Sequence, residues 1–537
     1  MPKDQNGNGD NQKADLFSRL NIDKVRKLRP LKIDYSRVRK LELIDKNNRK
    51  PQTFKEYTKI VPQKKLKATE KARPTFARDL RYLKDFSILW FIPKKVLVLV
   101  NSTLLPSIQP AINQYVADLA YEGYFAEIHA IAGGTPAEMR NFIKSRNPLG
   151  VLLVGSLPTA WFEMSDDFFG PAEFPCDLYY MDLTGTWNDP DGDGKFSEHP
   201  TNVAPEIWVG RIWTPTANGN DAALINDYFA RNHAYRKGMF GYSNKALAFV
   251  EDDWIGFGDC AFDSMFVPSN IETITDPTAT TGARYKAEVQ QHRAWAQINA
   301  HSSPGGHSIS APSGGEWIPS AYLRDTNPPN AYFYNLFACS NALFTQADYM
   351  AGWYIFDKSG GSICNGLAAV GSTKTGSMLL FENFYGPMGL GKNIGDAFVD
   401  WWKALGTDHD LGERQWYYGM TILGDPTLNW WSGVVPQPRT PMTEDVFDHF
   451  PRLTHFNWDP IGLPGVTYNI EIDAFGAIAA GKWAAEVGST FFVSGTLVDN
   501  NFEHVFVGAQ RGRWRVRAKV AGLTCPWSDW QYFKYTI

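Results

Sequence analysis

The chain has 537 residues, enough for three or four folding units. Its 44% hydrophobic content excludes a wholly disordered chain, and no apolar run reaches the ~18 residues of a membrane-spanning helix. The net charge of −4 hides an asymmetry: residues 1–95 hold 26 Lys and Arg against 11 Asp and Glu, a net +15, while the remainder carries −19.

A basic leader on an acidic body implies that the two attract each other; a solvated basic tail that meets nucleic acid or an anionic surface is the alternative. The first reading is adopted, so the partner expected for the leader is the body itself, not nucleic acid. Residues 1–20 contain no apolar h-region, so no signal peptide is read. Five cysteines, an odd number with no CxxC pair, exclude a zinc ribbon or a dithiol redox motif and leave at least one free thiol.

Residues 1–15 are Asn/Gly/Asp-rich and read as disordered. From Leu16 to about Leu83, apolar residues are sparse among charges, which predicts an extended or partly helical segment that needs a partner surface. At Pro93 the texture changes. Val96–Val100 is a run buried on both faces, followed by a helical stretch (Ile108–Gly123) and a strand near Phe125–Ile131. Thr135, Pro136 and Glu138 open a second helix with a capping box. Gly150–Gly155 gives another buried strand. The pattern resumes at Lys245–Glu251, Trp295–Ala300, Tyr334–Ala338 and Ser362–Val370. The alternation predicts an α/β body over 93–433, a parallel sheet covered by helices.

After Pro436, short alternating segments (Val466–Ile472, Phe491–Leu497, His504–Gly508, Trp514–Val520, Trp530–Tyr535) predict an all-β sandwich over 436–537. The Cys525-Pro526-Trp527-Ser528-Asp529-Trp530 corner resembles that of fibronectin type III domains, an immunoglobulin-like sandwich.

Two strands end alike. Trp295–Ala300 leads into His301-Ser302-Ser303-Pro304-Gly305-Gly306, and Tyr334–Ala338 leads into Cys339-Ser340-Asn341. Carboxyl ends of neighbouring parallel strands share one crevice, so an imidazole and a thiol are delivered to the same edge. An imidazole beside a thiol takes its proton and creates the nucleophile. Backbone N–H groups near Ser302 and Cys339 are candidates for the oxyanion site. A buried core thiol and a satisfied strand-end histidine are the bland alternative.

These motifs resemble the caspase-like cysteine peptidases, and within them the gingipain family, which has His-Gly after one strand and Ala-Cys after the next. The counterparts are His301-Ser302 and Ala338-Cys339. Pro205–Ile212, Ala368–Thr373 and Thr421–Leu428 look like further landmarks in the family order. Ser302 departs from the family Gly. The resemblance covers 93–433 and implies a caspase-like sheet sandwich, a cysteine endopeptidase acting on protein or peptide substrates, and an extracellular or cell-surface setting. The basic charge that docks residues 1–92 on the acidic body points to a self-processed pro-segment, with Lys/Arg-rich sites such as Lys64-Lys65 as candidate processing points. The resemblance also implies an acidic S1 pocket upstream of the histidine, for which Asp259 and Asp263 are the loosely aligned candidates. A catalytically inactive scaffold and an acyl-transfer ligase are the rival readings.

Asn188–Glu198 spells D-x-D-x-D-G, placing Asp189, Asp191 and Asp193 on one side of a tight loop, with the Lys195 carbonyl adjacent. Hard oxygen donors at this spacing suit structural Ca²⁺. Pro200 stands where an EF-hand has Glu, so Glu198 or an outside acid completes the shell; a polar Asx turn is the alternative. HExxH, P-loop and dinucleotide motifs are absent, which disfavours metallopeptidase, NTPase and dehydrogenase readings.

Overall fold

The computed structural model describes residues 45–47, 49–61, 66–70, 94–200, 203–325, 328–358, 364–463, 465–489, 491–507, 511–520 and 523–536. The expectations for residues 1–15 and for Lys64-Lys65 lie outside these residues.

The body is built on one eleven-stranded sheet. Its strands, numbered along the chain, are β1 (Lys67–Glu70), β2 (Lys94–Asn101), β3 (Tyr124–Ala132), β4 (Gly150–Val154), β5 (Trp208–Ile212), β6 (Ala246–Val250), β7 (Ile271–Ile274), β8 (Arg293–Asn299), β9 (Ala331–Phe337), β10 (Ala368–Ser372) and β11 (Met420–Gly424). Their spatial order is β1-β3-β2-β4-β5-β11-β10-β9-β8-β6-β7. The continuous aliphatic runs explain this: β4, β5, β6, β8 and β9 are buried along their whole length, as a sheet covered on both faces requires.

The strands run in two parallel blocks. β3, β2, β4, β5 and β11 share one direction, and β10, β9, β8, β6 and β7 share the other; the antiparallel β10–β11 pair is the seam. One consequence matters for chemistry. The carboxyl ends of β6, β8, β9 and β10 all open on the same edge.

Helices cover the faces. Leu105–Tyr121 packs on Ala222–Arg236. Pro136–Arg146 begins with the expected capping box, in which Thr135 accepts from the Glu138 amide and Glu138 accepts from the Thr135 amide. The leader contributes the helix Phe54–Ile60, whose Tyr57 is buried against Trp161, and β1, which extends the sheet edge antiparallel to β3.

The C-terminal region forms two further sheets. Pro438–Thr440, Leu453–Trp458 and Asn501–Val505 make an antiparallel three-stranded sheet. Asp445–Phe447, Thr467–Ala474, Phe492–Val493, Arg511–Val520, Leu523–Trp527 and Gln531–Tyr535 make the other. Phe456, Trp458, Trp514 and Phe533 pack together in the core. The alternation of Arg513, Arg515 and Arg517 puts three guanidiniums over Trp527 and Trp530. The segment Phe491–Leu497 pairs as a ladder over Phe492–Val493 and by a separate bridge from Leu497 to Tyr468; between them the Ser494 hydroxyl takes the Ile470 amide in place of a ladder carbonyl.

Candidate active site

The parallel β8–β9 register runs from Arg293↔Ala331 to Asn299↔Phe337, and the Ala300 amide still donates to the Phe337 carbonyl at 3.1 Å. His301 and Cys339 each lie two residues past the last pair, so they stand opposite one another on strand ends spaced about 4.8 Å apart. The next residues lock the two loops together: the Ser302 hydroxyl donates to the Cys339 carbonyl at 2.6 Å. After Cys339 the chain turns sharply, with Ser340 in the left-handed region at φ 54°.

β6 supplies the next layer. Its end, Val250, pairs with Asn299, so Glu251 and Asp253 arrive beside His301. Asp253 Oδ2 lies 2.8 Å from His301 Nε2, and Glu251 Oε2 accepts the His301 amide at 3.1 Å. Trp254 packs on the imidazole, with ring centroids 4.6 Å apart. A carboxylate on Nε2 places the ring proton there and leaves the Nδ1 lone pair as the acceptor. Nδ1 is buried and has no hydrogen-bond partner among the described residues.

Burial pushes the Cys339 thiol up to about 11; the Gly376 amide and the Lys374 ammonium pull against it, and Asp167 adds to the rise. Burial likewise pushes Glu251 up to about 7, although the His301 charge and the Ser310 and His301 amides favour its ionised form. The thiol is therefore neutral at pH 7 and needs a base when it reacts. His301 Nδ1 is the unpartnered ring nitrogen on the neighbouring strand end.

Both members of the pair are hidden, with His301 4% and Cys339 3% exposed. The leader touches the same loop. Asp45 accepts from the Ser303 hydroxyl at 2.7 Å and lies 3.4 Å from Arg49. Arg49 in turn lies over Gly305, where a Cβ would come within 1.5 Å of its Nη2. The Gln52 amide donates to Gln346, and the Phe54 amide to Glu173.

The loosely aligned S1 candidates are not joined to this pair. Asp259 caps its own turn through the Ala261 amide, and Asp263 is exposed, its carboxyl raised by partial burial and by Asp259. The sequence reading took Glu251 only as the end of the strand Lys245–Glu251 and missed Glu251 and Asp253 as partners of His301. The missed signal is the one that singled out His301 and Cys339: a buried strand ending on a reactive side chain.

In the acidic loop, both Asp189 oxygens accept backbone amides, from Gly192 and Gly194. Glu198 accepts from Asn188 at 3.0 Å. Carboxylate oxygens of Glu163, Asp191 and Asp193 lie within 4.8 Å of one another. The Lys195 ammonium enters this group, 2.6 Å from Glu163 and 2.9 Å from both Glu173 and Asp193. Against desolvation, these carboxylates hold its pKa above the usual lysine value. Glu163 is an acid from outside the loop that the loop sequence did not name.

The five cysteines are all buried and free. Against this geometry, the model of peptidase family C25 matches residues 92–431. The chain belongs to peptidase family C25. This is the gingipain family, so the resemblance carried by the His301 and Cys339 strand ends holds, and the chain is a family C25 cysteine peptidase by descent. A solved complex of the pro- and mature domains of RgpB from Porphyromonas gingivalis is similar at 14% identity and a TM-score of 0.46, covering 82% of this chain and 100% of the other. No curated protein matches significantly. Among the described residues, no helix of this family C25 chain is long and apolar enough to cross a membrane.

Proposed function

We propose that this family C25 chain is a cysteine endopeptidase in which Cys339 and His301 form the catalytic pair. His301 Nδ1 takes the thiol proton as Sγ attacks the scissile carbonyl carbon. The carbonyl electrons move to oxygen, where backbone amides at the Ser302 and Cys339 turns receive the oxyanion. The C–N bond then breaks, the amine leaves with the His301 proton, and water hydrolyses the thioester with His301 again as base. Asp253 holds the imidazole in the tautomer that the first step needs. The observation that carries this reading is the matched register of the two strand ends, closed by the Ser302–Cys339 hydrogen bond, with Nδ1 left open.

The leader acts as a pro-segment in this reading. Its Asp45–Gln52 stretch rests on the loop that follows His301, and the sulfur becomes accessible when the stretch leaves. An inactive scaffold is the second reading, and the burial of both catalytic groups is the observation in its favour. A peptidyl chloromethyl ketone distinguishes them. Covalent labelling of Cys339, strongly reduced in His301→Ala and in Asp253→Ala, supports catalysis; labelling that neither substitution changes supports the scaffold.

Two further assignments belong here. The sheets over 436–537 form a fibronectin type III-like module, for which the Arg/Trp stack at the Trp527–Trp530 corner is the support. The oxygens of Glu163, Asp191 and Asp193 suit a hard cation such as Ca²⁺ in a structural role, with Lys195 as the built-in competitor for the same oxygens. Protein substrates and an extracellular setting follow from the family, with Asp259 and Asp263 kept as the S1 candidates.

A further inference from the structure

The four strand ends at the active edge deliver four kinds of chemistry, and the mechanism above uses three of them. The fourth is β10. Its register with β9 ends at Asn335↔Val370, and counting four residues onward sets Lys374 opposite Cys339, on the side away from His301. A hydrogen bond places Lys374 at the Cys339 turn: the Ser340 amide donates to the Lys374 carbonyl at 2.8 Å.

The side chain is unusual for a lysine. Lys374 is 4% exposed. Its ammonium lies 2.8 Å from Asp167 and donates to the Thr375 and Gln415 carbonyls. It also lies over the rings of Phe168 and Phe174. Three oxygens around one nitrogen match the three donors of an ammonium rather than the two of a neutral amine. Keeping a buried lysine charged is costly, and a hydrophobic residue of similar volume is often tolerated better. A built cage for a cation beside a sulfur calls for a reason.

We propose that Lys374 is a positioning residue for the nucleophile: its backbone fixes the Cys339 turn, and its caged ammonium supplies the local positive charge that favours the Cys339 thiolate. The inference rests on the proposed Cys339–His301 reaction and deepens it. Burial pulls the Lys374 pKa below the ordinary lysine value, while Asp167 and, to a lesser degree, Cys339 favour its charge; Lys374 in turn favours the thiolate. Asp167 and Cys176 also act on the ammonium, while His301, held by Glu251 and Asp253, stands at the end of the neighbouring strand β8. Asp167 works in the opposite sense on the sulfur, so it anchors the ammonium at some cost to the thiolate.

The test is the rate at which iodoacetamide alkylates Cys339 in the full chain between pH 7 and 9, resolved by peptide mass spectrometry. The thiolate is the reacting form, and one unit of pKa is a tenfold change in rate below the midpoint. Lys374→Met is expected to slow alkylation about tenfold at each pH, and Lys374→Arg to stay within about twofold of the unsubstituted chain. Lys374→Met with Asp167→Asn, which leaves no buried unpaired charge, is expected to fall between them. A merely structural lysine gives the opposite sign, because loosened packing exposes the sulfur and speeds alkylation. Unchanged or faster alkylation in both Met variants overturns the inference and leaves the Cys339–His301 reading standing. Failure of Cys339 to react at any pH even in Asp45→Ala with Arg49→Ala, where the leader no longer braces the loop after His301, overturns both.

Discussion

The Ser302 hydroxyl donates to the Cys339 carbonyl across the ends of two neighbouring strands, joining the residue after His301 to the proposed nucleophile. Both groups are buried, so losing the donor strands a carbonyl away from water. Ser302→Ala is expected to cost about 1–2 kcal/mol in urea unfolding. Ser302→Gly, the residue usual in the family, is expected to cost at least as much, since it adds backbone freedom to the same loss. Unfolding midpoints unchanged in both would show that the bond fixes nothing.

Glu251 makes stability depend on pH. Its folded pKa of about 7 stands above the ordinary 4.5, so the native state holds this proton more tightly than the unfolded chain. The contribution is complete below 4.5 and is lost as pH rises through 7. Between pH 5 and 8 the chain is expected to lose about 2 kcal/mol that Glu251→Gln does not lose. Chemical unfolding of both proteins at the two pH values measures this. Equal losses would mean that Glu251 is not the group responsible.

The leader contact gives a third expectation. Asp45 bonds Ser303 and braces Arg49 over Gly305, in the loop that follows His301. Asp45→Ala together with Arg49→Ala is expected to speed iodoacetamide labelling of Cys339 several-fold, while labelling of buried Cys176 stays unchanged. A rate equal to that of the unsubstituted chain would show that this stretch does not cover the site.

Lys195 and a cation compete for the same carboxylates. In Lys195→Ala the loop carries uncompensated negative charge, so millimolar Ca²⁺ is expected to raise the melting temperature by several degrees more than it does with Lys195 present. Identical Ca²⁺ responses would leave the loop as an Asx turn stapled by lysine.

Much of the site was legible because strand periodicity and chemistry coincide. A fully buried apolar strand that ends on His or Cys names its place, and the register then sets His301 and Cys339 on neighbouring strand ends without any long-range information. Asp253 was harder to find. It lies three residues past β6 in an acid-rich turn, and only the pairing of β6 with β8 tells it from its neighbours. The two opposed parallel blocks were invisible for a similar reason, since strand direction is set by the β10–β11 seam rather than by any residue in the strands. Lys374 was silent because a lysine in a Thr-Lys-Thr turn normally indicates solvent. Its burial comes from Asp167 and Phe168, about two hundred residues away, at the tip of the Trp161–Pro175 hairpin.

The most direct measurement is turnover of a mixed peptide library by the full chain, by Cys339→Ala and by His301→Ala, with products identified by mass spectrometry. The account predicts internal peptide-bond cleavage by the unsubstituted protein, with hydrolysed rather than ligated ends, and none above background in either variant. Cleavage that persists in Cys339→Ala would contradict it.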